Sequence, residues 1–404
     1  MVEAAGPPAW PLTEAELSAW LRLLGSPGIG RESARRLLAA FGSPEAVMGA
    51  GDAARRTVVG RAAAAGLLTV PSGHAEQLAA TCAWLLAAGD RRVMVLGETD
   101  YPLQLLNTVD PPLLLYLEGS LKALGAPSVA VVGSRRPTPQ GRDNARQFAQ
   151  GLASQGWAVV SGLAAGIDAA AHEGALQAGA GGAGTVAVVG TGIDRVYPPS
   201  HAPLARRLLA QGGLIVSELP LGAPPLGAHF PQRNRIIAGL TRGTLVVEAA
   251  LRSGSLITAR MALEAGREVM VVPGSILADQ TAGCHELIRQ GATLVVSVAQ
   301  VLESLGDRAP AAPTPIRAGG VTPQAFAKRD QPEPSPTQAP AAGGAPTPDD
   351  PVLQALGHDP TSLDALIARC GWPAPVLSAH LLTLELAGQV ARLPGGLYQR
   401  VGSA

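Results

Sequence analysis

Seven short, continuously apolar runs rich in β-branched residues recur through the middle of this chain, at 129–132, 158–161, 185–189, 214–217, 244–247, 269–272 and 293–296. A strand without polar alternation is one covered on both faces, as in a parallel sheet flanked by helices. The intervening stretches carry helical patterning over ~10–15 residues, enough for crossover helices. The runs therefore predict an α/β fold built on a doubly wound parallel sheet.

Different textures flank this core. Thr13 and Glu16 read as a capping box opening a helix to about Leu24. GSPGIG follows at 25–30, then a second helix with Ala34, Leu37, Leu38 and Phe41 on one face. Helix, Gly-x-Gly hairpin, helix is the outline of a helix-hairpin-helix unit, and alanine-rich helical sequence continues to Ala88. Residues 306–350 are rich in Pro, Ala and Gly, with few large apolar residues, which predicts a flexible linker. A compact tail follows. Thr361 with Asp364 is expected to cap a helix through Ala368, a leucine-rich helix spans 373–386, and VARLPGGLYQR reads as a hairpin about Pro394-Gly395-Gly396. That order is a winged-helix outline. The expected domains are 1–88, helical; 89–305, sheet; 306–350, linker; and 351–404, winged helix.

Charge and composition exclude several classes. The 31 basic and 31 acidic residues cancel, although residues 121–305 hold 15 basic against 11 acidic. Lys122 and Lys328 are the only lysines, so no GxxxxGK[ST] phosphate loop can be written. Cys82, Cys284 and Cys370 lie far apart and suggest neither a disulfide framework nor a zinc site. Cys284-His285 is an adjacent pair, unsuited to chelation, and no metal is expected. No secretory or membrane-spanning pattern is seen, which predicts a cytoplasmic protein.

In such sheets ligands sit beyond the carboxyl ends of the strands. Gly133-Ser134-Arg135 follows the first run, Ser161-Gly162 the second and Gly190-Thr191-Gly192 the third. Glu248, then Ser253-Gly254-Ser255, follow the run at 244–247, and Pro273-Gly274-Ser275 the run at 269–272. Five strand ends carrying Gly with Ser or Thr describe a rim for phosphate: glycine lets backbone approach an anion, serine donates, and arginine forks onto two oxygens. Between strands lies HFPQRNR (229–235), where Phe230 beside Arg233 and Arg235 could stack a base or be plain core. No GxGxxG with a following acid is present, so no nicotinamide, flavin or other cofactor is expected. Glu248 could be a general base or a loop anchor. Asp168 and His172, one helical turn apart, could cap and brace a helix or touch a ligand. The Gly28-Ile29-Gly30 hairpin could meet a DNA phosphate or be structural. The winged helix has too few arginines for strong duplex binding.

Taken together these strings resemble the DNA-processing protein A (DprA/Smf) family. The strings are YPLQLLNTVDPPLLLYLEG (101–119), VAVVGSRRPTPQG (129–141), SGLAAGIDAAAHEGAL (161–176) and VGTGIDRVYP (189–198). FPQRNRIIAGL (230–240), the stretch from 246 to 275 and LIRQGA (287–292) complete the set. Ala165 stands where a charged residue is common, His201 where asparagine is usual, and Gln232 where a basic residue is frequent. The resemblance implies a Rossmann-like sheet with helical and winged-helix flanks. It implies a non-enzymatic homodimer that binds single-stranded DNA, shields it and loads the RecA recombinase during natural transformation. By the same resemblance Gly133, Ser134 and Arg135 hold phosphates, Ser161 and Gly162 add donors, Arg233 and Arg235 supply charge, Asn234 shapes the loop and Phe230 stacks. Two alternatives remain from sequence: a nucleoside-monophosphate hydrolase, whose PGGxGTxxE is lacking here, and a winged-helix DNA-binding regulator.

Overall fold

The computed structural model describes residues 12–306, 350–393 and 396–401. Contacts divide the chain into two units, 1–306 and 307–404. The expected linker lies almost wholly outside the described residues.

The first unit begins with five helices: α1 (Glu14–Gly25), α2 (Arg31–Phe41), α3 (Pro44–Gly49), α4 (Asp52–Gly66) and α5 (His74–Leu86). The capping box of α1 forms as expected, with Glu16 N donating to Thr13 Oγ1 at 3.2 Å and Thr13 N donating to Glu16 Oε2 at 2.7 Å. Leu17, Trp20, Leu23, Ala34 and Leu37 are buried together, which holds α1 against α2 across the Gly-x-Gly turn.

Nine strands follow: β1 (Arg91–Val95), β2 (Leu114–Gly119), β3 (Ser128–Gly133), β4 (Ala158–Ser161), β5 (Thr185–Val188), β6 (Leu214–Ser217), β7 (Gly243–Glu248), β8 (Glu268–Val271) and β9 (Thr293–Leu294). Short α6 (Leu103–Leu106) and α7 (Lys122–Gly125) lie between β1 and β3. The later helices are α8 (Pro139–Ser154), α9 (Ile167–Gln177), α10 (Ala202–Ala210), α11 (His229–Leu240), α12 (Ser255–Glu264), α13 (Ala282–Arg289) and α14 (Val298–Leu305).

The sheet order is β1-β2-β6-β5-β4-β3-β7-β8-β9. Strands β3 to β9 run parallel, with the direction of winding reversing between β3 and β7. Alternate residues of β3 enter different cores: Val129 and Val131 pack towards α8 and α9, Ala130 and Val132 towards the other face. The expected doubly wound parallel sheet forms, and an antiparallel pair extends it at one edge. β1 and β2 form an antiparallel pair, and β2 also runs antiparallel to β6, making the sheet mixed. Arg91 faces Glu118 in that pairing, at 2.9 Å, so the outer strand carries a charged pair.

The second unit comprises α15 (Pro351–Leu356), β10 (Thr361–Ser362), α16 (Leu363–Cys370), α17 (Ala374–Leu386), β11 (Val390–Leu393) and β12 (Leu397–Arg400). Its three strands are ordered β10-β12-β11, and Leu356, Leu366, Leu377, Leu381 and Val390 fill its core. This is a winged helix. The cap of α16 is Ser362, whose Oγ accepts from Ala365 N at 3.3 Å; Thr361, the expected cap, donates its hydroxyl to the Asp359 carbonyl at 3.0 Å instead. Residues 394 and 395 of the hairpin tip lie outside the described residues.

Candidate nucleic-acid interface

The reversal of winding between β3 and β7 is where doubly wound sheets open a crevice for ligand. Here the chain's own atoms occupy it. Ser134 N donates to the Glu248 carbonyl at 2.6 Å. A Cβ at Gly133 would come within 2.6 Å of Ile167 and 2.7 Å of the Glu248 carbonyl. Glu248, 2% exposed, turns its carboxylate onto the start of α8, where Oε2 accepts from Thr138 N at 2.8 Å. Thr138 Oγ1 accepts from Gly141 N at 3.0 Å. The positive end of α8 is therefore neutralised internally, and Glu248 is an anchor.

The loop after β4 is similarly self-satisfied. Ser161 is fully buried and donates its hydroxyl to the Val131 carbonyl at 2.7 Å. Gly162 N donates to Asp168 Oδ2 at 3.1 Å. Leu163 takes a left-handed backbone, φ 56°, and is gripped from both sides. Its N–H donates to His172 Nε2 at 3.3 Å, and its carbonyl accepts from His201 Nδ1 at 2.9 Å. His172 Nδ1 lies 2.8 Å from Thr185 Oγ1, whose own proton goes to the Val159 carbonyl. These bonds fix one neutral tautomer, with Nδ1 donating and Nε2 accepting. Burial, with the charge of Arg233 nearby, lowers the His172 pKa to about 3. Burial raises the Asp168 pKa against the opposing pull of Arg233. Asp168 and His172 thus brace a strained loop. His201, standing where asparagine was expected, supplies the donor that holds the Leu163 carbonyl.

Helix α11 distributes HFPQRNR over several directions. Arg233 points inward and is buried, its Nη1 donating to the Gly162 carbonyl at 2.6 Å and to the Val188 carbonyl. Burial depresses its pKa to about 10. Asn234 Nδ2 donates to the Gly254 carbonyl at 3.3 Å. Arg235 leaves the rim altogether, lying 2.9 Å from Asp110 Oδ2 and pairing with Glu218. Phe230 faces outward. Its ring meets Tyr197 at 5.6 Å between centroids, and the Arg135 guanidinium lies 5.3 Å from its centroid. Gly190 lies beneath, where a Cβ would be 2.9 Å from that ring.

Three groups emerge among the residues expected at the site. Arg135 and Phe230 come together on the surface, with exposed Arg136 beside them in sequence. Asn234, Ser253, Gly254 and Ser255 form a second patch at the start of α12, where the Ser253 and Ser255 hydroxyls lie 2.7 Å apart. Gly133, Ser134, Ser161, Gly162, Arg233 and Arg235 spend their polar atoms or their space on the protein itself. Tyr197 had no assigned role from sequence, although it stands in the quoted VYP string; it is 44% exposed and completes the aromatic pair. The loops after β5 and β8 also bond inward: Thr191 Oγ1 donates to the Arg195 carbonyl at 2.6 Å, and His285 Nε2 lies 3.1 Å from the Gly274 carbonyl.

The surface as built offers a cation and two aromatic rings side by side, and on α11 Asn234 reaches the start of α12, where Ser255 N donates to Ser253 Oγ at 3.3 Å. It can meet phosphate and stack a planar ring. Among the described residues no helix is long and apolar enough to cross a membrane.

Residues 92–306 match the family of DNA recombination-mediator protein A, and residues 332–396 match the DprA winged helix domain. The chain is 46% identical over 299 residues to Protein Smf of Escherichia coli K12, covering 73% of this chain and 74% of that protein. It is 49% identical over 202 residues to DNA processing protein DprA of Streptococcus pneumoniae R6, covering 50% of this chain and 70% of that one. The X-ray structure of DprA from Streptococcus pneumoniae aligns with TM-score 0.61 at 36% identity, over 72% of this chain and 98% of that one.

Proposed function

Because the chain belongs to the DNA recombination-mediator protein A family, we propose that it binds single-stranded DNA along the carboxyl rim of its sheet, protects it, and delivers it to the RecA recombinase during natural transformation. The observation that carries this reading is the Arg135 guanidinium over the Phe230 ring, with Tyr197 against that same ring. Arginine and aromatic faces suit an unpaired strand, whose bases are free to stack, better than a duplex, whose bases are not. The Ser253-Gly254-Ser255 turn and Asn234 extend the track for backbone contacts. No catalytic role is assigned to any of these groups: Glu248, Asp168 and His172 are all engaged in holding loops.

The protein would act in the cytoplasm as a homodimer through the sheet-bearing unit. Support for that face comes from Leu251, Ile276 and Leu277, on loops following the adjacent strands β7 and β8, which are 62%, 88% and 58% exposed. Apolar groups so exposed mark surfaces that meet a partner. The winged helix is a weaker candidate for DNA, since Arg369 donates to the Ala355 carbonyl at 3.1 Å and Arg392 lies over Tyr398.

Fluorescence anisotropy of a labelled oligonucleotide, single-stranded and duplex, tests the DNA reading with wild type and Arg135→Ala. Preferential single-strand binding that the substitution weakens supports it. Binding that favours duplex and ignores Arg135 overturns it.

A further inference from the structure

Helices α9 and α10 enclose a groove of about 490 Å³. Its apolar part is Ala169 on α9 with Pro203 and Leu204 on α10. Its polar part is Ser200 and His201, in the turn before α10, with Arg206 and Arg207 on that helix. Both arginines are exposed, and among the described residues neither forms an ion pair or a side-chain hydrogen bond. The carboxylate in the lining, Glu173, is already compensated by Arg146 at 3.2 Å. Two cations that line one groove repel each other, and an anion between them removes that cost. Arginine forks onto the paired oxygens of a phosphate, and a hydroxyl adds a donor.

The groove adjoins the surface that holds the rings. Tyr197 is followed by Pro198, and the turn Pro199–His201 carries the chain directly into α10. His201 Nδ1 bonds the Leu163 carbonyl at 2.9 Å, which ties the groove wall to the rim loop. HFPQRNR meanwhile spends Arg233 and Arg235 inside the protein, so a strand lying on Phe230 and Tyr197 draws no cation from them. We propose that the groove receives the phosphates of a single strand that has passed Tyr197. Arg206 and Arg207 pair with phosphate oxygens, Ser200 donates to one of them, and deoxyribose lies over Ala169 and Pro203. The inference deepens the single-strand reading and rests on it: the bound strand gains a direction, from Arg135 and Phe230 across Tyr197 and along α10. Free inorganic phosphate has the same chemistry, and the test separates the two sources.

The test uses the full chain with Arg206→Gln, Arg207→Gln and the double variant. Arg61→Gln, at an exposed position on α4, removes one charge elsewhere as a control. Circular dichroism with thermal melting confirms that each folds. Anisotropy compares oligothymidylates of about 4 and about 16 nucleotides, the ends of the range of single-strand site sizes. The short strand fits on the surface at Arg135 and Phe230, and the long one reaches the groove. The double variant is expected to lose about tenfold in affinity for the long strand, the scale of charge-assisted hydrogen bonds, and little for the short one. Its salt slope on the long strand should be shallower by about 1.4, two phosphates at about 0.7 each. An equal loss at both lengths, no loss at either, or a loss in Arg61→Gln as large as in Arg207→Gln overturns the groove assignment while leaving single-strand binding intact. Calorimetry with inorganic phosphate decides the source: saturable binding that the double variant loses, with strand affinity unchanged, makes this a free-phosphate site and overturns the strand assignment. If no strand binds the wild-type protein, the proposed function fails first and the groove assignment falls with it.

Discussion

The carbonyl of Gly162 accepts a hydrogen bond from the Arg233 guanidinium at 2.6 Å, and a Cβ at Gly162 would run into that same guanidinium. The pair locks α11 to the loop after β4. It also separates Arg233, a cation of the interior, from Arg135, a cation of the surface. Arg233→Ala leaves Asp168 buried without its compensating charge and two carbonyls without their donor. Losses of that kind cost about 3–5 kcal/mol. Gly162→Ala should cost about 1–3 kcal/mol as an overpacked site. Chemical denaturation of both variants checks this.

Arg135→Ala is expected to behave in the opposite way. Stability should stay within about 0.5 kcal/mol, as for an exposed position. The slope of log affinity for single-stranded DNA against log salt should become shallower by about 0.7, the share of one neutralised phosphate. Salt titrations of wild type and variant measure it; equal slopes would remove Arg135 from the interface.

Tyr197→Ala removes an exposed ring from the pair with Phe230. Affinity for a single strand should drop by about 1 kcal/mol, the low end of base–aromatic stacking. Affinity for duplex of the same length should change little. Paired binding isotherms give both numbers.

His172 imposes a pH dependence on stability. Its folded pKa is lowered to about 3 from an ordinary 6.5, so the unfolded chain binds the proton more readily. The contribution is fully present above pH 6.5 and is lost as pH falls from there towards 3. Asp168, raised by burial, works in the opposite sense, because its folded form takes up a proton at higher pH than the unfolded chain. The histidine part is isolated by comparison with His172→Gln. Melting temperatures of wild type should fall more steeply than those of the variant between pH 6.5 and 4. Parallel curves would mean that the neutral imidazole is not what the fold selects.

Cys284 is buried, and its thiol is pushed up to about 12. Thiolate is the reactive form, so Cys284 should resist iodoacetamide in the native protein and label on unfolding. Cys82 and Cys370, both partly exposed, should label first. Mass spectrometry of timed reactions distinguishes the three.

Strands β3 to β8 were legible because each is covered on both faces and writes itself as an apolar run. β1 and β2 were not. β1 opens with Arg91-Arg92, whose charge at the sheet edge breaks the apolar pattern, and β2 was absorbed into a longer motif. An antiparallel return beside a parallel sheet leaves no signature in such runs. The cap of α16 is Ser362 rather than Thr361, whose hydroxyl is spent on the Asp359 carbonyl at 3.0 Å. At the candidate interface Phe230 was read beside Arg233 and Arg235, and the cation that lies over its ring is Arg135 instead. Ser161, Arg233 and Arg235 were expected as donors to a ligand, and their donors instead meet Val131, the Gly162 and Val188 carbonyls, and Asp110 with Glu218. A sequence records that an arginine is present, whereas its direction follows from which face of α11 it occupies. Tyr197 was missed because its significance lies in a ring contact with a residue 33 positions away.

Leu163, held in a left-handed conformation between His172 and His201, has a consequence for timing. The loop that shapes the rim is set when the chain folds, so an arriving strand has no segment to order before it docks. Encounter should then be limited by diffusion and charge, and departure by the few contacts that Arg135 and the rings make. A surface of that kind exchanges one occupant for another quickly, which suits the proposed delivery of a bound strand to a recombinase.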